Sequence, residues 1–220
     1  MIGKEIPVPP GLKEEPIDHA VDIIAKQFAD DKAQRYLLLE DLAKAGRKEV
    51  DYEFNKQIFS SVIPDMVKNG GRCLTVEGSG IASVWDLHAV TETYHPVPGH
   101  PAAVTELNVL AHEARKPRVP PHCKGVLHLF LLANDRSHPS NDPSRNAKVS
   151  DVIRPVMQMA RENDWTIVLE ATSEKSRDIY QHLGFDLVKE LTIGIGKVDS
   201  EGRVKEGGEG VRLWVMMTPV

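Results

Sequence analysis

Residues 171–185 read ATSEKSRDIYQHLGF and lie between two strand-like runs. Upstream, WTIVLEA (165–171) is apolar almost throughout, as a strand covered on both faces should be. From Ser173 the pattern turns polar and helical, and Gly184 stops it, since glycine tolerates the left-handed backbone that closes a helix. FDLVKELTIGI (185–195) then starts another strand. The local order is strand, short helix bearing one tyrosine (Tyr180), Gly-Phe closure, strand.

Upstream again, GVLHLFLLA (125–133) is a second apolar strand, interrupted only by His128. A loop, NDRSHPSNDPSRNAK, leads into a helix that places Val152, Ile153, Val156, Met159 and Ala160 at helical spacing. Pro155 is expected to kink that helix or mark its first turn. Strand, helix and strand together predict a right-handed βαβ unit with parallel strands. Beyond the second strand, GVRLWVMMTPV closes the chain after a glycine-rich turn at 199–210, expected to be a mobile surface loop.

The N-terminal half supplies helices and a hairpin. Prolines in the first dozen residues give an extended lead-in. Asp18 is read as the cap of a helix with Ala20, Ile23, Ile24 and Phe28 on one face, and residues 36–42 as further helix. Phe54, Ile58, Val62 and Met66 form the stripe of another, ended at Asn69-Gly70-Gly71. RCLTVEGSGIASVWDLHA reads as a hairpin around Gly78-Ser79-Gly80. A proline-bearing loop at 91–101 precedes a helix with Val104, Leu107, Leu110 and Ala114. With 220 residues and no domain-sized linker, a single α/β domain is expected.

This order resembles the GNAT superfamily of N-acetyltransferases over roughly residues 72–220, most specifically at Ser173, Tyr180, Gly184 and Phe185. The resemblance implies a mixed central sheet of about six to seven strands flanked by helices, with the helix at 102–116 an added element before the central strand. It implies transfer of an acetyl group from acetyl-CoA to the amine of a small-molecule acceptor. Tyr180 would then protonate the leaving thiolate. Backbone groups of Leu131, Leu132 and Ala133 would hold the pantetheine arm and polarise the thioester carbonyl. The family's pyrophosphate turn, Gln/Arg-x-x-Gly-x-Gly/Ala, falls on 144–149, making Arg145, Ala147, Lys148, Val149 and Ser150 cofactor-side residues, with Ser173 nearby. Neither glycine is present. Trp85, Asp86 and His88 fall on the strand that lines the acceptor side in the family.

Read without the resemblance, Glu170 is a carboxylate at the end of an apolar strand, a costly placement unless it is exposed, paired or useful, and it is a candidate general base. His128 is read as a hydrogen-bonded core histidine. None of the nine histidines stands in an HExxH or Cys/His zinc spacing, so no metal is expected. The net charge of −5 draws the chain neither to nucleic acid nor to an anionic membrane. The two cysteines, Cys73 and Cys123, form no disulfide framework, and the N-terminus has no apolar run of signal-peptide length, so a cytoplasmic location is expected. A homodimer is compatible with these features. The glycine-free turn keeps open a GNAT-fold enzyme without CoA that does other acid–base chemistry, with Glu170 and His88 or His128 as its candidates. A fold retained for binding or regulation alone stays open as well.

Overall fold

The computed structural model describes residues 5–90, 94 and 99–219. A seven-stranded sheet in the order β1-β2-β3-β4-β5-β7-β6 forms the centre. Its strands are β1 (Lys13–Glu14), β2 (Arg72–Thr75), β3 (Ile81–His88), β4 (Gly125–Asn134), β5 (Trp165–Ala171), β6 (Asp186–Ile193) and β7 (Val211–Met217). The helices are α1 (Ile17–Gln27), α2 (Lys32–Leu37), α3 (Leu39–Lys44), α4 (Tyr52–Lys68), α5 (Ala102–Arg115), α6 (Ser150–Glu162) and α7 (Glu174–His182). The expected parallel pair is β4 with β5, joined through α6; every other pairing is antiparallel.

The two faces of the sheet carry different helices. Leu127, Leu129, Ile167, Leu169, Trp214 and Met216 bury against α6 and α7. Cys73, Ala82, Val84, Leu131 and Ala133 bury against α1 and α4, while Leu191, Val215 and Leu213 meet α2 and α5. β4 serves both faces through a bulge. Trp85 stands opposite Leu129 but Val84 opposite Leu131, which leaves Phe130 as an extra, exposed residue. A one-residue slip exchanges the faces of a strand, so the bulge returns Leu131 and Ala133 to the α1 side.

Several sequence readings change. α1 starts straight after Pro16, and Asp18 lies in its first turn, where an acidic side chain complements the positive end of the helix dipole, instead of capping it. Pro155 lies well inside α6 and not in its first turn. The helical patch at 36–42 is broken at Leu38 into α2 and α3. The turn at 199–210 is pinned: Asp199 N donates to Arg203 O, Gly210 N donates to Val198 O, and Lys32 of α2 reaches Glu201 at 2.5 Å. Gly202 lies so close to α2 that a Cβ there would meet Lys32 O at 2.2 Å. Most of the loop expected at 91–101 lies outside the described residues.

Trp85, named from sequence as an acceptor-side residue, is a core residue. Its side chain is fully buried on the α6 face, with the indole N–H donated to Ser83 Oγ at 2.8 Å. Trp85→Ala is expected to lower unfolding stability by about 3–5 kcal/mol, the range for truncating a buried aromatic. Phe130→Ala should cost less than about 1 kcal/mol, the scale for an exposed side chain away from such features. Chemical denaturation of both variants checks the contrast.

Candidate active site

β4 and β5 are paired only from Gly125↔Trp165 to His128↔Val168. Beyond that point β4 follows β3 as far as Asn134, while β5 follows β7 as far as Ala171. The sheet therefore opens at the carboxyl ends of its two central strands, where open α/β sheets place their ligands.

Four ionisable side chains and one arginine gather where the opening begins. Asp86 of β3 stands directly opposite His128 of β4, and His88 lies two residues on, on the same face. Glu170 lies two residues beyond Val168, so its side chain shares a face with His128. His128 Nε2 and Glu170 Oε2 are 2.8 Å apart, and each of these side chains is only 12% exposed. His128 Nδ1 is 3.3 Å from Asp86 Oδ1, and His88 Nε2 is 2.9 Å from Asp86 Oδ2. Arg115, at the end of α5, donates to Glu170 Oε1 at 3.4 Å.

Burial alone would neutralise His128, Glu170 and Asp86, and their neighbours oppose it. Burial lowers the affinity of His128 for its proton, but Glu170 and Asp86 outweigh burial and push its pKa up to about 9. Glu170 is pushed up by burial, yet His128 and Arg115 leave its carboxyl below the usual range. Burial likewise raises Asp86, and the two imidazoles beside it outweigh that and hold it well below the ordinary value. At neutral pH the site is an imidazolium between two carboxylates, with Arg115 behind one of them. Asp86, His88 and His128 also place three possible metal-ligand atoms within 4.8 Å of one another.

No protein-family model matches the sequence. A Saccharomyces cerevisiae protein described as putative increased recombination centers protein 11 is 28% identical over 103 residues, 47% of this chain and 64% of its own length. An uncharacterized protein of the same yeast is 27% identical over 104 residues, 47% of this chain and 43% of its length. Solved structures match far more of the chain. The C-terminal condensation domain of Ebony, in complex with β-alanyl-dopamine, superposes with a TM-score of 0.63 at 15% identity, covering 95% of this chain and 98% of that one. An agmatine N-acetyltransferase gives 0.59 at 14%, covering 95% and 98%. A Drosophila melanogaster polyamine N-acetyltransferase gives 0.57 at 13%, covering 95% and 99%. The chain has the GNAT fold.

On this fold the residues named from sequence fall in three places. Glu170, Asp86 and His88 belong to the cluster, and His128, read from sequence as a core histidine, is its centre. Arg115 was missed, because one cation in the last turn of a helix carries no signal of its own. Tyr180 lies on the α6 face, buried, with its ring edge-on to Phe185 at 5.6 Å, and burial pushes its phenol upward. Leu131 and Ala133 are buried, and Leu132 partly so, on the stretch of β4 that has left β5.

The third place is the turn before α6. Asn146 there has φ 42°, a left-handed backbone supplied without glycine. Ala147 and Val149 pack against the core. Arg145 donates to Glu77 O at 3.2 Å, and Asp151 accepts the Lys148 N–H at 2.9 Å. Ser150 is the first residue of α6. Ser173 caps α7 by accepting the Ser176 N–H, while Ser176 Oγ accepts the Ser173 N–H, a reciprocal arrangement that explains this residue structurally.

The raised pKa of His128 has a sign. A histidine that gains proton affinity on folding adds stability below its unfolded value, about 6.5. That stability is lost as pH rises towards about 9. In EDTA-treated protein, the melting temperature of the wild type is expected to fall between about pH 6.5 and 9, whereas His128→Gln flattens the curve. Calorimetric melts across that range check it.

Proposed function

We propose that the protein is a GNAT-type acyltransferase that moves an acyl group from a CoA thioester to the amine of a small cationic acceptor. The observation that carries this reading is the His128–Glu170 contact at the point where β4 and β5 part. It brings a proton-accepting carboxylate, paired with an imidazolium, to the opening in which a thioester and an amine would have to meet.

An amine is an ammonium ion at neutral pH and must lose a proton before it can attack. Asp86 and Glu170 attract that ammonium. Once it is bound, two cations, the ammonium and the His128 imidazolium, face the same two carboxylates. Like-charge repulsion lowers the proton affinity of both. The Glu170 carboxylate takes a proton from the ammonium, and the freed nitrogen lone pair attacks the thioester carbonyl carbon. The carbon–sulfur bond then breaks, the departing thiolate takes a proton, and the surplus proton on the new amide nitrogen passes through water to the group that supplied it. Tyr180 is the candidate donor, since its raised pKa keeps the phenol protonated throughout the physiological range.

A second reading is favoured by the turn before α6. Asp151 occupies the Lys148 amide and Arg145 is held by Glu77 O, so two groups suited to a pyrophosphate are already engaged. On this reading the cleft does acid–base chemistry without CoA. Isothermal calorimetry with acetyl-CoA separates the two. The transferase reading expects binding that weakens with salt, because the remaining attraction is charge at an exposed site. Tighter binding is expected in Ala147→Gly/Val149→Gly. Absence of binding to either form at millimolar acetyl-CoA overturns the transferase reading.

With an amine that is turned over, Glu170→Gln is expected to lower kcat about 10²–10⁴-fold, the usual scale for losing a positioned acid or base. Tyr180→Phe should lower kcat with little change in melting temperature, since the ring and its packing are kept. Steady-state thiol release and thermal melts on both variants check this, and unchanged turnover in either removes that residue from the mechanism.

A further inference from the structure

We infer that Asp86, His88 and His128 form a binding site for a divalent transition ion, of which zinc is the type. The inference rests on geometry and not on acyl transfer: an ion here takes the place of the His128 Nδ1 proton, so the metal-loaded and imidazolium forms are alternative states of the same side chains.

Asp86 and His88 are at i and i+2 on β3, so both project from one face, and His128 stands opposite Asp86 on β4. Three ligands are thus fixed by two adjacent strands, the stiffest scaffold the fold offers. Their ligand atoms lie within 4.8 Å of one another, and two of the separations are 2.9 and 3.3 Å. Tetrahedral zinc with bonds of about 2.0–2.1 Å separates its ligands by about 3.3 Å, so these side chains need only small shifts to share an ion. Two nitrogens and one carboxylate oxygen suit zinc and its neighbours and are a poor set for calcium or magnesium.

Two further observations point the same way. Asp86 Oδ1 is buried, and His128 Nδ1 faces it at 3.3 Å, a long contact that an ion held between the two atoms would replace. The other nitrogen of His128 is in contact with Glu170, which Arg115 holds in turn. That is the carboxylate–histidine arrangement that orients metal-bound imidazoles and fixes which nitrogen faces the ion. Asp86 as ligand and Glu170 behind His128 offset the 2+ charge in part, with Arg115 paired to Glu170. Three protein ligands leave one position of a tetrahedral ion for water or another small ligand.

The test uses the full-length protein stripped with EDTA and titrated with Zn²⁺, followed by calorimetry, and with Co²⁺, followed by visible absorption. One ion per chain is expected, with the cobalt bands of a low-coordinate nitrogen–oxygen site. His88→Ala changes a partly exposed side chain and should leave the fold intact, which circular dichroism verifies; it is expected to weaken binding at least 100-fold. Asp86→Asn should do the same. Glu170→Gln should keep the cobalt spectrum but weaken binding about 10–100-fold, the effect of losing a partner behind a ligand. His138→Ala, at the separate His19–His138 pair, should change nothing. No binding to the wild type at 100-fold molar excess overturns the inference. So does binding of unchanged stoichiometry and affinity in His88→Ala and Asp86→Asn. No outcome depends on acetyl-CoA or an amine, so failure here and failure of the transferase reading are told apart.

Discussion

Four residue pairs, Gly125↔Trp165 to His128↔Val168, join the half-sheet β1-β2-β3-β4 to the half-sheet β5-β7-β6. Beyond that ladder the two halves part. The bulge at Phe130 and the departure of β5 towards β7 both start where the ladder ends. Because the ladder is short, α6 and α7 have to bridge the halves from behind. Their buried side chains pack against residues of β3, β4, β5 and β7 in one cluster. A sheet cut almost in two is held by that layer.

Placing an imidazolium at the end of the ladder is expensive, and the cost explains the company it keeps. A lone charge at His128 would lose its proton to burial. With a carboxylate on each side, one from a strand of each half-sheet, the charge is retained and links the halves electrostatically as well as by backbone pairing. Removing one partner from such a buried set costs more than the set contributes as a whole, because the remaining charge is left uncompensated. The same arrangement serves chemistry, since groups held away from their ordinary ionisation by their neighbours change state when a charged ligand arrives.

The turn before α6 shows a different settlement. Backbone and helix-end groups of the kind that could hold an anion are used internally: Asp151 takes an amide, Arg145 braces the β2–β3 hairpin, and Ala147 and Val149 extend the core. Glycine at these positions would leave the amides open and the loop loose. Apolar side chains close that ground and tighten the packing instead.

How much of this could be read from the chain depends on the range of the physics involved. The apolar runs at 125–133 and 165–171, the helical stripe between them, and the Gly184 stop are local patterns, and they were enough to predict the parallel pair and the α/β class. Glu170 was legible because a carboxylate in an apolar strand is conspicuous. His128 was conspicuous too, but a single buried histidine is usually a core residue, and only the pairing register shows Asp86 opposite it and Glu170 within reach. Arg115, the bulge at Phe130 and the inward face of Trp85 had no local signature. By itself, the sequence determined which segments are strands and helices, since periodicity is written within a few residues. Tertiary structure alone decided which charges meet, because register, bulge and splay are set by contacts between segments as many as 55 residues apart, and a shift of one residue would turn each of the strand side chains to the other face.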